Sequence, residues 1–500
     1  MIIYIDRAAV PDTENISNEV FKYLLNHARP EIKRYDDLYR AYLGKNKPEK
    51  ADKNEVRVNI NYVKYVVDIV RAFYLGEPVK YDSNDESNSA NDGKPLSGGT
   101  EVTVRNGKVV KHEWDAIAGR KLDIRPILDA YDKQVISKVD SKIGKYISLF
   151  GEAQELLYAS DDDIPQPKSC VFAPQECILV RDNTVEHRDL FFMTFEERER
   201  VSNEQKYWAV TVYTDKSERK YESTDLESFY FVAAEPKETF FGAVPCVNYD
   251  NDDERQGDAE QLVGLSEALS DLMSDRLTDK KKFIDSILAI FGTELDNDEA
   301  DGESAAEKLK KYKMIDGLPI DARIEYIQKV FDENSVKVLC DDLIREIHKV
   351  SMTVDMSDEA FSGNITGVAL SMKFLPMSFL AKSKIRSMDE GLKRRFELYN
   401  TWLSRNMGVP TVPTSDIDVV FTIDMPSNLS EMTDIVQKLE GRVDEKTLLS
   451  LLNFVKDPDE MAKIMEKKKE ENKKQFLDSF SGSEQDAETD SPDTEKEDDE

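Results

Sequence analysis

Clusters of carboxylates are the residues of this sequence best suited to chemistry, and they lie at 161–163, 252–254 and 294–301. Paired carboxylates hold the metal ions of nucleases and serve as acid and base in glycosidases. A chain with 100 acidic residues is expected to contain such clusters by chance. They also fall in predicted loops without an oriented histidine or basic partner. A metal-dependent nuclease or other phosphodiester hydrolase, using Asp162 or Asp252, therefore stays only as an alternative.

Other patterns that would indicate catalysis or metal binding are missing from the sequence. It contains no G-x-x-x-x-G-K-[ST] phosphate loop, no H-E-x-x-H and no G-x-S-x-G. The four cysteines include no C-x-x-C pair, which argues against a zinc site or a disulfide framework. The four histidines are scattered along the chain: His27, His112, His187 and His348. We predict no enzymatic activity, no cofactor and no metal.

The most distinctive element is a break between two long helical patterns, at residues 355–370 (DMSDEAFSGNITGVAL). Residues 336–350 before it, and Ala369 to about Arg405 after it, carry apolar side chains at helical spacing. Gly363 and Gly367 give the break conformational freedom. A polar, acidic loop between two long helices is typical of a segment that contacts another molecule rather than of a catalytic site.

The surrounding pattern predicts an α+β, mainly helical protein. Helices are predicted at 16–26, 30–43, 61–75, 124–150 and 258–291, the last capped by Asp258 and closed by Gly292. Short strands are predicted between 153 and 247, in the segments LLYAS, SCVFAP, CILVRD, YWAVTVYTD and SFYFVAA, and at 416–423. A hairpin at 101–112 turns on Asn106-Gly107. Arg276, Asp279 and Lys280 interrupt the apolar stripe of 258–291. This interruption predicts a bridging helix rather than an ordinary core helix.

Composition limits the partners that this chain can have. Five hundred residues with 40% apolar side chains predict two to four subdomains. A formal net charge of −32 argues against tight binding to DNA phosphates, yet it suits a surface past which DNA slides. We expect no signal peptide and no transmembrane helix, hence a soluble protein made in the cytoplasm. The last twenty residues hold ten carboxylates against one lysine, which predicts a disordered tail.

Five segments of the chain occur in an order that is typical of one family. They are residues 61–81, ending LGEPVKY, then LFGEAQELLYAS (149–160), VPCVNYDNDDERQGDAEQLVGLSEALSDLMSDRLTD (244–279), NITGVALSMKF (364–374) and FTIDMPSNLSEMTDIVQKLEGRVDEKTLL (421–449). This order resembles the portal proteins of tailed bacteriophages, specifically of long-tailed phages that infect Gram-positive hosts. The resemblance covers roughly residues 15–465. The 82–115 loop and hairpin and the acidic tail depart from the family pattern.

The resemblance implies a subunit with wing, stem, clip and crown regions that assembles into a ring around a central channel. The implied regions are a wing at 1–257 with the 82–115 insertion, stem helices at 258–291 and 335–354, a clip at 292–334, a tunnel loop at 355–366, a long helix returning to the wing at 367–429, a crown at 430–474 and a disordered tail at 475–500.

The implied function is that of a head-to-tail connector at one capsid vertex of the virion, assembled in the cytoplasm of the bacterial host. Double-stranded DNA is packaged through the ring, which has twelve subunits in the virion, and is later ejected through it. The implied partners are the terminase large subunit, scaffolding and major capsid proteins and a head-completion adaptor, with no membrane. An acidic adaptor that binds other proteins through its tail is the remaining alternative.

Two groups of site residues follow from this resemblance. The DNA-facing tunnel loop would present Met356, Ser357, Asp358, Glu359, Ser362, Gly363, Asn364 and Thr366. The stem would carry a basic cluster of Arg276, Lys280, Lys281 and Lys282. These cations would either balance acidic groups across subunit interfaces or contact phosphates transiently.

Overall fold

A computed structural model describes most of the chain. The described residues are 1–46, 56–83, 100–105, 108–113, 124–202, 204–232, 236–284, 287–291, 323–327, 333–356 and 367–423, with short helical pieces between 436 and 469. The chain divides into two compact units. The first comprises Met1–Asp355 and Pro376–Ile423, and the second comprises Met356–Leu375 and Asp424–Glu500.

Helices and strands alternate in a mixed α and β order. The α-helices are α1 (Asn18–Leu43), α2 (Tyr62–Leu75), α3 (Arg125–Gln134), α4 (Ile136–Phe150), α5 (Val263–Ile284), α6 (Glu333–Val350) and α7 (Gly367–Met407). The strands are β1 (Ile2–Ile5), β2 (Lys80–Ser83), β3 (Thr100–Arg105), β4 (Lys108–Glu113), β5 (Glu152–Ala159), β6 (Pro167–Phe172), β7 (Cys177–Asp182), β8 (Asp189–Glu199), β9 (Lys206–Tyr213), β10 (Ser217–Ser223), β11 (Tyr230–Phe231), β12 (Lys237–Glu238), β13 (Cys246–Asp250), β14 (Ile287–Phe291), β15 (Arg323–Ile327) and β16 (Ile417–Val420).

The described strands form two larger sheets and three strand pairs. The largest sheet runs β1-β7-β8-β9-β10-β11, with β12 also on β10, and only β1 and β7 pair in parallel among its described strands. A three-stranded antiparallel sheet runs β13-β5-β6. The separate antiparallel pairs are β14-β15, β16-β2 and β3-β4. The predicted hairpin at 101–112 is thus confirmed as β3 and β4, and its turn lies outside the described residues.

One large apolar core joins the helices and the sheets of the first unit. Helix α2 is central to it, since Val66 and Val67 are fully buried, as its apolar sequence predicts. Helix α7 contributes the buried Leu392, Phe396 and Trp402 to the same core. Burial of these large side chains supplies the main driving force that holds residues 376–407 of α7 in the first unit.

Two helix predictions are wrong. In one case a helix continues where a break was predicted, and in the other a helix is broken where none was predicted. Helix α1 continues through Pro30, which was predicted to separate two helices. Pro30 is exposed, so water can satisfy the carbonyl that loses its partner, while the turns on both sides bury core residues. The single helix predicted at 124–150 is instead divided at Val135, whose φ is 56°. This left-handed residue lets α3 and α4 each turn an apolar face to the core.

The helix predicted at 258–291 also ends early, at Ile284. Residues Ile287–Phe291 (ILAIF) form strand β14 instead, because Arg323–Ile327 lies antiparallel to them and satisfies their backbone groups. Strands β1, β8 and β10 were not predicted. The strand predicted at SFYFVAA shrinks to Tyr230–Phe231 among the described residues.

Helix α5 is held by a hydroxyl ladder, formed by Ser266, Ser270, Ser274 and Thr278. Each hydroxyl accepts a hydrogen bond from the backbone of an extended segment, and the N–H donors are those of Tyr62, Ile60, Val58 and Val56 at 3.2, 3.1, 3.0 and 2.9 Å. Every fourth residue of a helix therefore meets every second residue of an extended chain. The match explains why small hydroxyl residues recur at this spacing along α5.

Replacing Ser270 with alanine is expected to lower the free energy of unfolding by about 1–3 kcal/mol, since the N–H of Ile60 then loses its acceptor. Urea denaturation of the full chain measures this change. Ala268→Ser on the exposed side of α5 is the control and should stay within about 0.5 kcal/mol. Equal effects of the two substitutions would show that the ladder does not support α5.

Candidate functional site: the helices that flank residues 357–366

Helices α5 and α6 pack side by side through one apolar face each. Cys340 and Ile347 of α6 are buried, and the sulfur atoms of Cys340 and Met273 lie 3.8 Å apart. The buried residues of α6 recur at helical spacing, which confirms the amphipathic pattern read from 336–350. This helix pair leads into the break in the sequence.

The basic cluster on α5 has an acidic partner at the start of α6. Arg276 Nη2 and Lys280 Nζ both donate to Glu333 Oε1, at 2.6 and 2.9 Å. Hydrogen bonds from Lys280 and Arg276 lower the pKa of Glu333. Lys281 is exposed, and the side chain of Lys282 lies outside the described residues. The intrachain partner was not predicted, because Glu333 is 53 residues from Lys280 in the sequence.

Helix α6 ends in a compact cap just before the break. Met352 adopts a left-handed conformation with a φ of 56°, and its N–H donates to the carbonyl of Lys349. The N–H of Thr353 donates to the carbonyl of His348. This pair of bonds satisfies the last carbonyls of the helix, although such a left-handed position is usually a glycine. The chain therefore leaves α6 in a fixed direction.

His348 connects this cap to helix α2. Its ring lies edge-on to Tyr62 and Tyr65, with centroids 5.7 and 5.9 Å away. Its Nδ1 is 3.1 Å from Thr353 Oγ1, and its Nε2 is 3.8 Å from Asp355 Oδ1. Burial lowers the pKa of His348, and Asp355 opposes that shift only in part. The neutral imidazole is thus the form that fits this site.

Because the pKa of His348 is below its ordinary 6.5 in the folded chain, the unfolded chain binds more protons as the pH falls through that value. We expect this residue to add stability above pH 6.5 that is lost on acidification. Comparing urea denaturation of wild type and His348→Gln above and below pH 6.5 measures the effect. The loss of stability on acidification should be smaller in the variant. An identical loss in both proteins would contradict the assignment.

Most of the predicted tunnel loop lies outside the described residues. Met356 is described and is 55% exposed. The others in that prediction are Ser357, Asp358, Glu359, Ser362, Gly363, Asn364 and Thr366, and their positions are not described. Helix α7 begins at Gly367 and ends at Met407, close to the helix predicted from Ala369 to about Arg405.

Two buried cations anchor residues 376–407 of helix α7 in the first unit. Lys384 Nζ lies 2.7 Å from Asp258 Oδ2 and donates to Asn251 Oδ1 at 2.5 Å. Arg395 Nη1 donates to Asp140 at 2.6 Å, and its Nε donates to Glu155 at 2.9 Å. Asp258, predicted to cap the helix that follows it, is instead the buried partner of Lys384.

Burial by itself lowers the pKa of Arg395, but the carboxylates of Asp140 and Glu155 raise it well above its ordinary value. Glu155 also accepts a hydrogen bond from Tyr249 at 2.6 Å. The anchor therefore joins α7 to α4, β5 and β13. Sequence reasoning missed both anchors, although a signal exists. Lys384 and Arg395 continue the three- and four-residue spacing of Ala381, Met388 and Leu392 along the buried face.

The candidate catalytic carboxylates have structural partners. Asp162 lies 3.2 Å from Lys168 Nζ, and Asp252 accepts a hydrogen bond from the N–H of Gln256 at 2.9 Å. Across the described residues, no three His, Cys, Asp or Glu side chains are grouped so that they could hold a metal ion. Among the same residues, no helix is long and apolar enough to cross a membrane.

The sequence of this chain matches a known protein family over most of its length. A family model described as "Phage portal protein, SPP1 Gp6-like" matches residues 21–475. The chain belongs to this portal protein family, and the resemblance read from its sequence is confirmed.

The portal protein of Bacillus phage SPP1 is similar to this chain, with 24% identity over 315 residues. That match spans 59% of this chain and 60% of the SPP1 protein, which is less than two thirds of that relative. A solved structure, the neck of an empty GTA particle, aligns with a TM-score of 0.39 and 11% identity. The alignment covers 78% of this chain and 90% of the other.

Proposed function

We propose that this chain is the subunit of a ring-shaped portal at one vertex of a phage capsid. Double-stranded DNA is packaged through the channel of the ring and later ejected through it. The observation that carries this proposal is membership of the portal family across residues 21–475. Twelve copies form the ring in the virion. The chain itself is a structural protein, and hydrolysis of ATP belongs to a separate motor, the terminase large subunit.

The regions of such a subunit can be assigned to the elements described above. The wing is 1–257, and the stem is formed by α5 and α6. The clip lies between these helices and includes the pair β14-β15, which shortens the first stem helix relative to the sequence-based boundary. The tunnel loop is 355–366, α7 returns the chain to the wing, and residues 430–474 form the crown. The acidic tail follows at 475–500.

Anchored flanks suit the proposed tunnel loop. The chain enters the loop from the cap of α6, where Thr353 and His348 are hydrogen bonded. It leaves the loop into α7, which Lys384 and Arg395 hold in the wing. Loops that make functional contacts are commonly carried by rigid elements in this way. In this proposal, residues 357–366 contact DNA and are joined on each side to a helix that buried contacts hold in place.

The negative net charge of the subunit also suits a channel for DNA. A net charge of −32 per subunit repels the phosphate backbone, so that DNA is not held at any one step. Polar and acidic residues of the loop, including Asp358 and Glu359, favour sliding contact over tight binding. The stem cations Arg276 and Lys280 are already paired with Glu333, which reduces the positive charge that they offer to phosphate.

Negative-stain microscopy and native mass spectrometry of the purified full chain test this proposal. We expect large rings with a central hole, and no ATP hydrolysis by the rings alone. Scaffolding and major capsid proteins should incorporate the ring at one vertex, where the motor and later a head-completion adaptor dock. A chain that stays monomeric at micromolar concentration, even with scaffolding protein, would contradict the proposal.

A further inference from the structure

Helix α7 carries an exposed ridge, formed by Phe379, Lys382 and Arg386. The phenyl ring of Phe379 is 58% exposed, and both cations are exposed. Spacings of three and four residues place all three on one face of the helix. Within the described part of the chain, neither Lys382 nor Arg386 has an ion pair or a hydrogen bond through its side chain. A large aromatic group beside two free cations is unusual for a surface that faces only water.

Helix α5 carries the complementary acidic pair, Asp275 and Asp279. Asp275 is exposed and Asp279 is half-buried, and both lie on the face of α5 opposite to Leu277. Neither carboxylate has an ion pair or a side-chain hydrogen bond to another described residue. Like charges four residues apart on a helix repel each other, so an opposite charge from a partner would stabilise the acidic pair and the two cations of the ridge.

The two surfaces match in spacing as well as in charge. Four residues of an α-helix span about 6 Å, so the cations of the ridge and the carboxylates of the acidic pair repeat at the same interval. Two helices that cross at a small angle can therefore form both ion pairs at once. Phe379 would then lie beside these pairs and exclude water from them, which strengthens their attraction.

We infer that the ridge on α7 of one subunit docks on the acidic pair on α5 of a second copy of this chain. The inference rests on the proposed ring. Two different surfaces meet in such a contact, which is the head-to-tail arrangement that generates closed rings. Because each copy carries a net charge of −32, local complementarity is needed for two copies to associate. DNA could neutralise the cations but would leave Phe379 and the acidic pair without a role.

Paired charge reversals test the inference in the full chain. Lys382→Glu/Arg386→Glu should raise the protein concentration needed for half-assembly by about tenfold or more, and Asp275→Lys/Asp279→Lys should do the same. Mixing the two double variants in equal amounts should restore assembly. In the mixture, each reversed ridge faces a reversed acidic pair, and each native ridge faces a native pair. Native mass spectrometry should find the two variants alternating in rings with an even number of subunits.

The matched control is Arg29→Glu/Lys33→Glu, which reverses two exposed cations at the same spacing on α1 and should leave assembly unchanged. Circular dichroism and thermal denaturation check that each variant folds. Normal rings from both double variants would overturn the inference and leave the proposed function intact. If rings form normally but fail to package DNA only when the charges of the ridge are reversed, the ridge contacts phosphate. That result would also overturn the inference. Absence of rings from the wild-type chain would instead contradict the proposed function.

Discussion

Replacing Arg395 with methionine is expected to lower the free energy of unfolding by roughly 3–5 kcal/mol, the largest stability loss that we predict. Arg395 is fully buried, and it pairs with Asp140 and Glu155, which are buried as well. Methionine fills a similar volume but leaves two carboxylates without a cation in the core. Because α7 contributes several core residues, its displacement should expose apolar surface across the first unit.

Asp140→Asn is the matched control for this prediction. Burial raises the pKa of Asp140, although Arg395 opposes the shift. The folded chain therefore binds the proton more readily than the unfolded chain, and the stability that this binding provides is lost as the pH rises. Asparagine resembles the protonated acid and still accepts the hydrogen bond from Arg395, so its effect should remain within about 1 kcal/mol. Urea denaturation of both variants makes the comparison. A mild effect of Arg395→Met would refute the anchoring role.

Shortening the loop by deleting 358–363 is expected to leave ring assembly intact and to reduce DNA packaging by roughly tenfold or more. The deletion removes Asp358, Glu359, Ser362 and Gly363 from the proposed DNA-contacting loop. It spares the cap of α6, including His348 and Thr353. It also spares the anchors of α7 at Lys384 and Arg395. Assembly is measured by negative-stain microscopy, and packaging by protection of DNA from nuclease in filled heads.

Deletion of 481–500 is the control for the shortened loop. The portal proposal predicts intact rings after removal of this acidic segment, whereas the adaptor alternative predicts lost assembly. If the deletion of 358–363 itself prevents ring formation, the segment belongs to a subunit interface. Its assignment as a DNA-contacting loop would then be wrong.

Local patterns predicted the elements whose periodicity is strong. Helix α2, the long helix α7 and the amphipathic face of α6 lie close to their expected positions, because apolar spacing and turn residues mark them clearly. The prediction failed where a distant partner decides the structure. Residues Ile287–Phe291 continue an apolar helical pattern, but pairing with Arg323–Ile327 makes them a strand. Val135 gave no local signal for a left-handed break.

The site was predicted less completely than the fold. The break and its flanking helices were found from the sequence, and the basic cluster on α5 was identified by its residue types. Partners across long sequence separations were not found. The pairing of Arg395 with Glu155 joins residues 240 positions apart, and periodicity on one helix carries no information about the opposite partner. The helical pattern does place a cation at a buried position. Such a cation needs a buried carboxylate as its partner, but the pattern does not say which one.

The hydroxyl ladder has a mechanical consequence. Four residues of α5 advance about 6.0 Å, whereas two residues of the extended segment advance about 6.6 Å, so each step adds a small offset. The distances from backbone nitrogen to hydroxyl oxygen lengthen steadily along the ladder, from 2.9 Å at Thr278 to 3.2 Å at Ser266. A force along the axis of α5 would load all four bonds in shear at once, and a slip of one residue would break every one of them. The joint should therefore resist axial sliding up to a threshold and then yield abruptly.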